Sequence, residues 1–352
     1  MTAGQDHLFD PYVDALIVEL SGMNEPSPVN SIFIGGGTPT YLPATTLTRL
    51  LQAINHWLPL RSEGEFSVEA TPETVTDEII DVLATHGVNR VSLGVQSFQR
   101  ESLEQLDRIH KPQHVIPALQ RVRRRIANVS LDLIFGIPGQ TIEDWEIDLT
   151  NATSLAPEHI STYGLTYEKG TPLWKQREKG LIVAIPEEAE LAMYLTSIDR
   201  LSASGYQQYE ISNFAKPDRR CRHNETYWAN DAYFGFGVGA ARYLEGRREL
   251  NCRNSIDYIR RIESGITPTI QSETLSAEEA ARETLAIQLR RSEGINRDQF
   301  FVRTGFEFDR LVRERPAILL AEQLLADDGR RVTLTRRGIC VADAIVSRLA
   351  FG

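Results

Sequence analysis

The stretch SIFIGGGTP, residues 31–39, runs from a strand into bare backbone. Four residues that suit a buried strand lead directly into Gly35, Gly36 and Gly37, and Thr38 with Pro39 keeps a helix from starting at once. Glycine allows dihedrals and close approaches that a Cβ forbids, so three in succession serve either a tight turn or a ligand.

On the amino-terminal side, Asp10 reads as an N-cap with Pro11 at the first helical position. Tyr12, Leu16, Ile17 and Leu20 then recur at helical spacing up to Gly22. On the other side a helix follows Pro43, with Leu47, Leu50, Leu51, Ile54 and Leu58 on one face. The alternation repeats with strands at 65–70, 90–95, 129–135, 159–166 and 206–211. Between them, helices are expected at 77–85, at 115–125, after the capping box of Thr141 and Asp144, and at 186–203. This regularity predicts a parallel α/β sheet, open or closed. Ligands of such sheets bind beyond the carboxyl ends of the strands. There the sequence puts Gly35 to Thr38, Glu69, Gln96, and Asp132 with Gly136 nearby, so acids, an amide and bare backbone are expected around one mouth.

Residues 213–228 read as a polar loop carrying His223, Tyr227 and Trp228. Gly235, Gly237 and Gly239 lack a surrounding βαβ unit and read as a close-packed turn, not a dinucleotide fingerprint. A capping box of Ser276 and Glu279 opens a helix through Leu289; a helix at 317–325, a strand at 331–335 and a last helix to Leu349 come after it. That order suits a winged-helix module. The expected divisions are 1–215, a barrel-like region; 216–270, a polar and glycine-rich extension; and 271–352, the winged-helix-like module.

Hydrophobic content of 41% and charged content of 24% over 352 residues describe a globular protein with enough length for a proper core. A net charge of -10 argues against a general nucleic-acid binder, and Arg330, Arg331, Arg336 and Arg337 read as a solvated wing. No run approaches the ~18 apolar residues of a membrane span, and the opening residues carry neither a basic nor an apolar leader region, which predicts a cytoplasmic protein. Cys221, Cys252 and Cys340 are too widely spaced for a local chelate and are expected as buried or partly buried free thiols.

Five segments in this order, GGGTPTYL (35–42), VEATPE (68–73), GVQSF (94–98), DLIFGIPGQT (132–141) and RHNETYW (222–228), resemble the radical S-adenosylmethionine (SAM) proteins of the oxygen-independent coproporphyrinogen III oxidase group. The likeness spans essentially the whole chain and is strongest to the heme chaperone branch. It implies an α/β fold, a partial barrel of six βα units with a winged-helix-like carboxyl-terminal domain. It also implies a 4Fe-4S cluster held by CxxxCxxC, and SAM bound at the mouth. Carried over by position, Gly36, Gly37 and Thr38 would lie along the methionyl group, Glu69 would bond SAM, and Gln96, Arg108 and Asp132 would complete the pocket. Backbone groups suit a zwitterionic amino acid, and carboxylates suit hydroxyls and an ammonium. RHNETYW resembles the HNxxYW motif of the chaperone branch, which implies heme at His223, Asn224, Tyr227 and Trp228, with His223 as the iron ligand. Partners implied are heme, an acceptor protein that includes membrane-associated candidates, and an electron donor for the cluster.

The family's first strand and its CxxxCxxC loop are not found in this sequence, and its opening residues resemble the segment directly after that loop. A start assigned downstream of the true one accounts for this, because losing the first parallel strand would bare a sheet edge. A shortened, clusterless chain is the alternative. Two other functions stay open at this point: the oxidase itself, in porphyrin biosynthesis, and a clusterless winged-helix regulator.

Overall fold

The computed structural model describes residues 6–351; residues 1–5, which begin the stretch read as lying just past a cluster loop, are outside them. The described chain forms two compact units, one of residues 26–208 and 212–221, the other of residues 6–25, 209–211 and 222–351.

The chain opens with α1 (Phe9–Ser21), a member of the second unit. The first unit then runs β1 (Val29–Ile34), α2 (Ala44–Trp57), β2 (Leu60–Ala70), α3 (Asp77–Thr85), β3 (Arg90–Gln96), α4 (Arg100–Gln105), α5 (Val115–Arg123), β4 (Asn128–Phe135), α6 (Ile142–Ser154), β5 (His159–Gly164), α7 (Pro172–Glu178), α8 (Glu187–Ala203), β6 (Gln207–Gln208) and β7 (Asn213–Ala215). These strands make one seven-stranded sheet in the order β1-β2-β3-β4-β5-β7-β6. Pairing is parallel from β1 through β5. The expected parallel strand at 206–211 is corrected: two short strands replace it, and β7 pairs antiparallel with both β5 and β6. Only a few residues separate β6 from β7, too few for the crossover that a parallel pair needs.

Side chains alternate across a sheet, and here the two faces differ in chemistry. On one face Phe66, Val68, Val91, Leu93, Val129 and Leu131 are all sealed from solvent, the environment of a helix-covered parallel sheet. Phe135 continues this face and packs on Trp145 of α6 and Tyr194 of α8, at centroid distances of 5.5 and 6.3 Å. The other face is polar. Register puts Glu69, Ser92, Ser130 and His159 in one row across β2 to β5, and Gly94, Asp132, Ser161 and Asn213 in the next, across β3 to β7.

The second unit continues with α9 (Arg222–Ala229), β8 (Ala241–Leu244), β9 (Arg247–Asn251), α10 (Ser255–Glu263), β10 (Thr269–Thr274), α11 (Ala277–Gln288), β11 (Ile295–Asn296), α12 (Arg297–Thr304), α13 (Phe308–Val312), α14 (Arg315–Ala321), β12 (Leu325–Asp327), β13 (Arg331–Leu334), α15 (Arg336–Ile339) and α16 (Ala342–Ala350). It holds two three-stranded antiparallel sheets, β10-β9-β8 and β11-β13-β12. Glu245 and Gly246, both at positive φ, make the two-residue turn between β8 and β9. Around the second sheet Leu285, Leu289, Phe300, Phe308, Val332 and Leu349 form a core. The capping box of Ser276 and Glu279 starts α11 as expected.

Two local readings are corrected. α1 starts at Phe9 behind a single 3-10 turn, so Leu8 and not Asp10 stands at its N-cap. The stretch read as a polar loop contains β7 and the helix α9. Its polar and aromatic residues hide an i, i+4 repeat that apolar periodicity does not register.

Candidate functional site

At the carboxyl ends of β1 to β4 the glycine loop meets the first carboxylate. Gly36 and Gly37 sit at φ +83° and +149°. Gly36 N–H donates to Glu69 Oε2 at 3.1 Å. A Cβ on Gly35 would stand 2.6 Å from the Phe33 ring and 2.7 Å from Glu69 Oε1, so a side chain there would have to push the ring and that carboxyl aside. Burial, and then the charge of Asp132, push Glu69 up to about 7, while the Gly36 N–H opposes the shift.

Asp132 is held by hydroxyls. Ser92 donates to both of its oxygens, at 2.8 and 3.1 Å, Ser161 donates at 2.8 Å and Ser130 at 3.1 Å. Ser130 also meets Nδ1 of His159 at 2.8 Å. Burial and then the Arg90 charge keep that imidazole neutral well below its ordinary range. The acid therefore has neutral donors and no cation bonded to it among the described residues.

Gln96 ends β3 at a register shift, with φ +65°. A Cβ on Gly94 would lie 2.9 Å from Gln96 Nε2, so the amide folds over Gly94, the cross-strand partner of Asp132. Gly36, Glu69, Asp132 and Gln96 are thus brought together. Thr38 is half-buried next to this loop and carries no side-chain bond at the 3-10 turn it precedes, whereas Thr40 reaches Thr74 Oγ1 at 2.6 Å and ties the loop after β1 to the one after β2. Arg108 is not brought into a bond with these groups. It is exposed, with no carboxylate at ion-pair distance among the described residues, and its segment is fixed by His110, whose Nε2 lies 2.9 Å from Val95 O.

Sequence reading missed Ser92, Ser130 and Ser161. The signal for them was serine at alternate positions with an acid in adjacent strands, which only a known register converts into a cluster.

The second set of residues lies on α9. His223 and Tyr227, one turn apart, meet edge to face at 4.6 Å, and Tyr227 meets Tyr233 in the same way at 4.5 Å. Burial and then Tyr233 push the Tyr227 phenol up to about 12, so it stays neutral. Asn224 Nδ2 donates to Tyr209 OH at 3.3 Å, which makes it an anchor of the helix. Trp228 is half-buried, one turn beyond Asn224. Gln288 Nε2 of α11 caps the far end at Ala229 O, 3.0 Å away.

The glycine run after α9 is a close-packed turn. A Cβ on Gly235 would fall 1.8 Å from Ala241 O. Gly237, at φ +98°, donates its N–H to Glu19 Oε2 at 2.8 Å; that oxygen also accepts from Tyr258 OH at 2.5 Å, and Glu19 Oε1 accepts from Asn251 Nδ2 at 2.8 Å.

Cys221 and Cys252 are buried and Cys340 half-buried, all as free thiols. No group of three or more His, Cys, Asp or Glu side chains placed to hold a metal occurs among the described residues. No helix among them is long and apolar enough to cross a membrane.

A parallel sheet with carboxylates and bare backbone at its mouth defines a class. Residues 9–150 match the radical SAM superfamily, and residues 275–341 match the HemN C-terminal domain. The structure resembles that of coproporphyrinogen III oxidase (HemN) from Escherichia coli, with a TM-score of 0.87 at 21% identity, covering 100% of this chain and 85% of that one. The fold is therefore that of HemN. At the level of sequence, the chain is 38% identical over 343 residues to heme chaperone HemW of Bacillus subtilis, covering 95% of this chain and 89% of that one. It is 35% identical over 333 residues to heme chaperone HemW of Lactococcus lactis, covering 94% and 86%. The chain belongs to the HemW family.

Proposed function

We propose that this chain binds heme on the aromatic face of α9 and delivers it to an acceptor protein, on a scaffold whose sheet mouth takes SAM. The observation that carries the heme reading is the run His223, Tyr227, Tyr233, an imidazole one turn ahead of a phenol within a chain of edge-to-face rings. A neutral imidazole is an axial donor for heme iron, and flat aromatic faces suit the macrocycle. His223 is assigned as the ligand, Tyr227 and Trp228 as ring contacts, and Asn224 as the residue that seats them.

At the mouth, Gly36, Gly37 and Thr38 would hold the methionyl group, Glu69 its ammonium, and Gln96, Arg108 and Asp132 the remainder of SAM. Exposed backbone at the glycines and two neighbouring carboxylates support this reading, since both the ammonium and the sulfonium are cationic. Bound SAM is a source of radical chemistry in this superfamily. The described residues offer no ligand set for the 4Fe-4S cluster, so no step is assigned to it. The acceptor, membrane-associated or not, an electron donor and a cytoplasmic setting complete the proposal. In functional terms residues 216–270 carry the heme face and 271–352 the winged-helix-like module. The HemN likeness is one of fold, and fold alone does not carry the oxidase activity.

Hemin titration followed by absorbance tests the heme site. His223→Ala is expected to weaken binding about tenfold or more, a loss of ~1.4 kcal/mol, and to shift the Soret band. Tyr227→Ala is expected to weaken binding with the band unmoved. A His223→Ala protein with the affinity and spectrum of the parent removes His223 as ligand.

A further inference from the structure

Gln96 is held in a conformation that a side chain resists. Its φ is +65°, and Ser97 N–H donates to Val95 O at 2.8 Å, closing a three-residue γ-turn with Gln96 at its centre. Such turns with a positive central φ are rare and strained, and strain persists only where surrounding contacts over-determine it.

Those contacts come from both sides of the turn. Ahead of Gln96, the Val95 carbonyl also accepts from His110 Nε2 at 2.9 Å. A carbonyl only accepts, so Nε2 carries the proton. His110 is 2% exposed. Behind Gln96, Asp148 of α6 takes the Ser97 hydroxyl on Oδ2 and the Phe98 N–H on Oδ1, each at 2.7 Å. Asp148 and Ser97 are both fully buried, and Ser97 Oγ accepts in turn from Gln99 N–H at 2.9 Å. A buried carboxylate is costly unless donors fill it, and here the donors are the two residues just past Gln96.

We infer that Asp148 and His110 are positioning residues, two jaws that hold the γ-turn at Gln96 so that its amide is aimed over Gly94 toward Asp132. His110 lies two residues after Arg108, so the same contact also fixes the segment of that arginine. The inference rests on the reading of Gln96 as a contact to SAM, and it adds the machinery that makes that contact available. A loop at Gln96 free to relax would turn the amide away from the mouth.

The test is a double-mutant cycle on the full chain, read by urea denaturation and by SAM binding in calorimetry. Glycine accepts a positive φ without cost, so Gln96→Gly is expected to raise the urea midpoint while lowering SAM affinity about tenfold. An unchanged or lower midpoint overturns the strain. Asp148→Ala is expected to lower SAM affinity about tenfold, and Asp148→Asn to recover part of it through one oxygen that still accepts the Phe98 N–H. His110→Gln, which keeps a donor near the Nε2 position, is expected to exceed His110→Ala in the same way. The deciding readout is coupling: Asp148→Asn must cost more stability in the Gln96→Gly background than in the parent, where the freed turn relaxes and recovers its strain. Additive costs would make Asp148 an ordinary core contact and end the inference. Coupling together with SAM affinity untouched by Gln96→Gly would instead keep the clamp and remove Gln96 from the SAM site.

Discussion

Glu69 shows how much one carboxyl can report about its surroundings. Burial and Asp132 raise it from 4.5 to about 7, so the folded chain prefers its protonated form. The stability this contributes is full below pH ~4.5, is lost as pH rises through 7, and stays lost above that. Glu69→Gln is therefore expected to flatten the pH profile and to stabilise the protein at pH 8, on the order of 2 kcal/mol after allowance for partial exposure. Urea titrations at pH 5 and pH 8 measure it; a variant no more stable than the parent at pH 8 contradicts the assignment. Glu69 and Gln96 were legible in the sequence because each stands at the end of a predicted strand, and Asp132 because it is the acid of the next predicted strand, three residues before its end. Their supports were not. Asp148 reads as one more polar helix residue and Ser92 as a tolerated strand serine, since hydrogen bonds at separations of 51 and 40 residues leave no local trace.

Elements in the first unit were legible where apolar spacing is strong. The helix over 77–85 was placed on its true bounds, and β3 and β4 were placed within a residue. Two failures in the second unit share a cause. α9 and the β8-β9-β10 sheet carry arginines, aromatics and small residues in place of an apolar stripe, so neither period stands out. The glycine run beside them was legible as a turn, and the structure gives its positions unequal weights. Gly235→Ala drives a methyl into a backbone carbonyl that cannot swing aside, and is expected to cost several kcal/mol, ~3 or more. Gly246→Ala meets open space and loses only the ease of a positive φ, about 1 kcal/mol. Chemical denaturation of the two variants side by side should separate them by that margin; equal costs would refute the close packing.

At the scale of the whole chain, charge decides against the regulator. A net charge of -10 repels the phosphate backbone, and at the carboxyl-terminal hairpin the Asp328 carboxylate, held by the backbone N–H groups of Arg330 and Arg331, puts negative charge beside those two arginines. Duplex DNA is expected to show no retention even at about 50 mM salt; binding that weakens steeply with added salt would revive that alternative. The two-faced sheet has a last consequence, one of evolvability. Residues turned toward the helices answer to volume and packing, whereas Glu69, Ser92, Ser130, Asp132 and Ser161 answer to hydrogen-bond chemistry. Because the two sets alternate along the same strands, a lineage can rewrite every second residue and change what the mouth of the sheet binds while the scaffold keeps its shape.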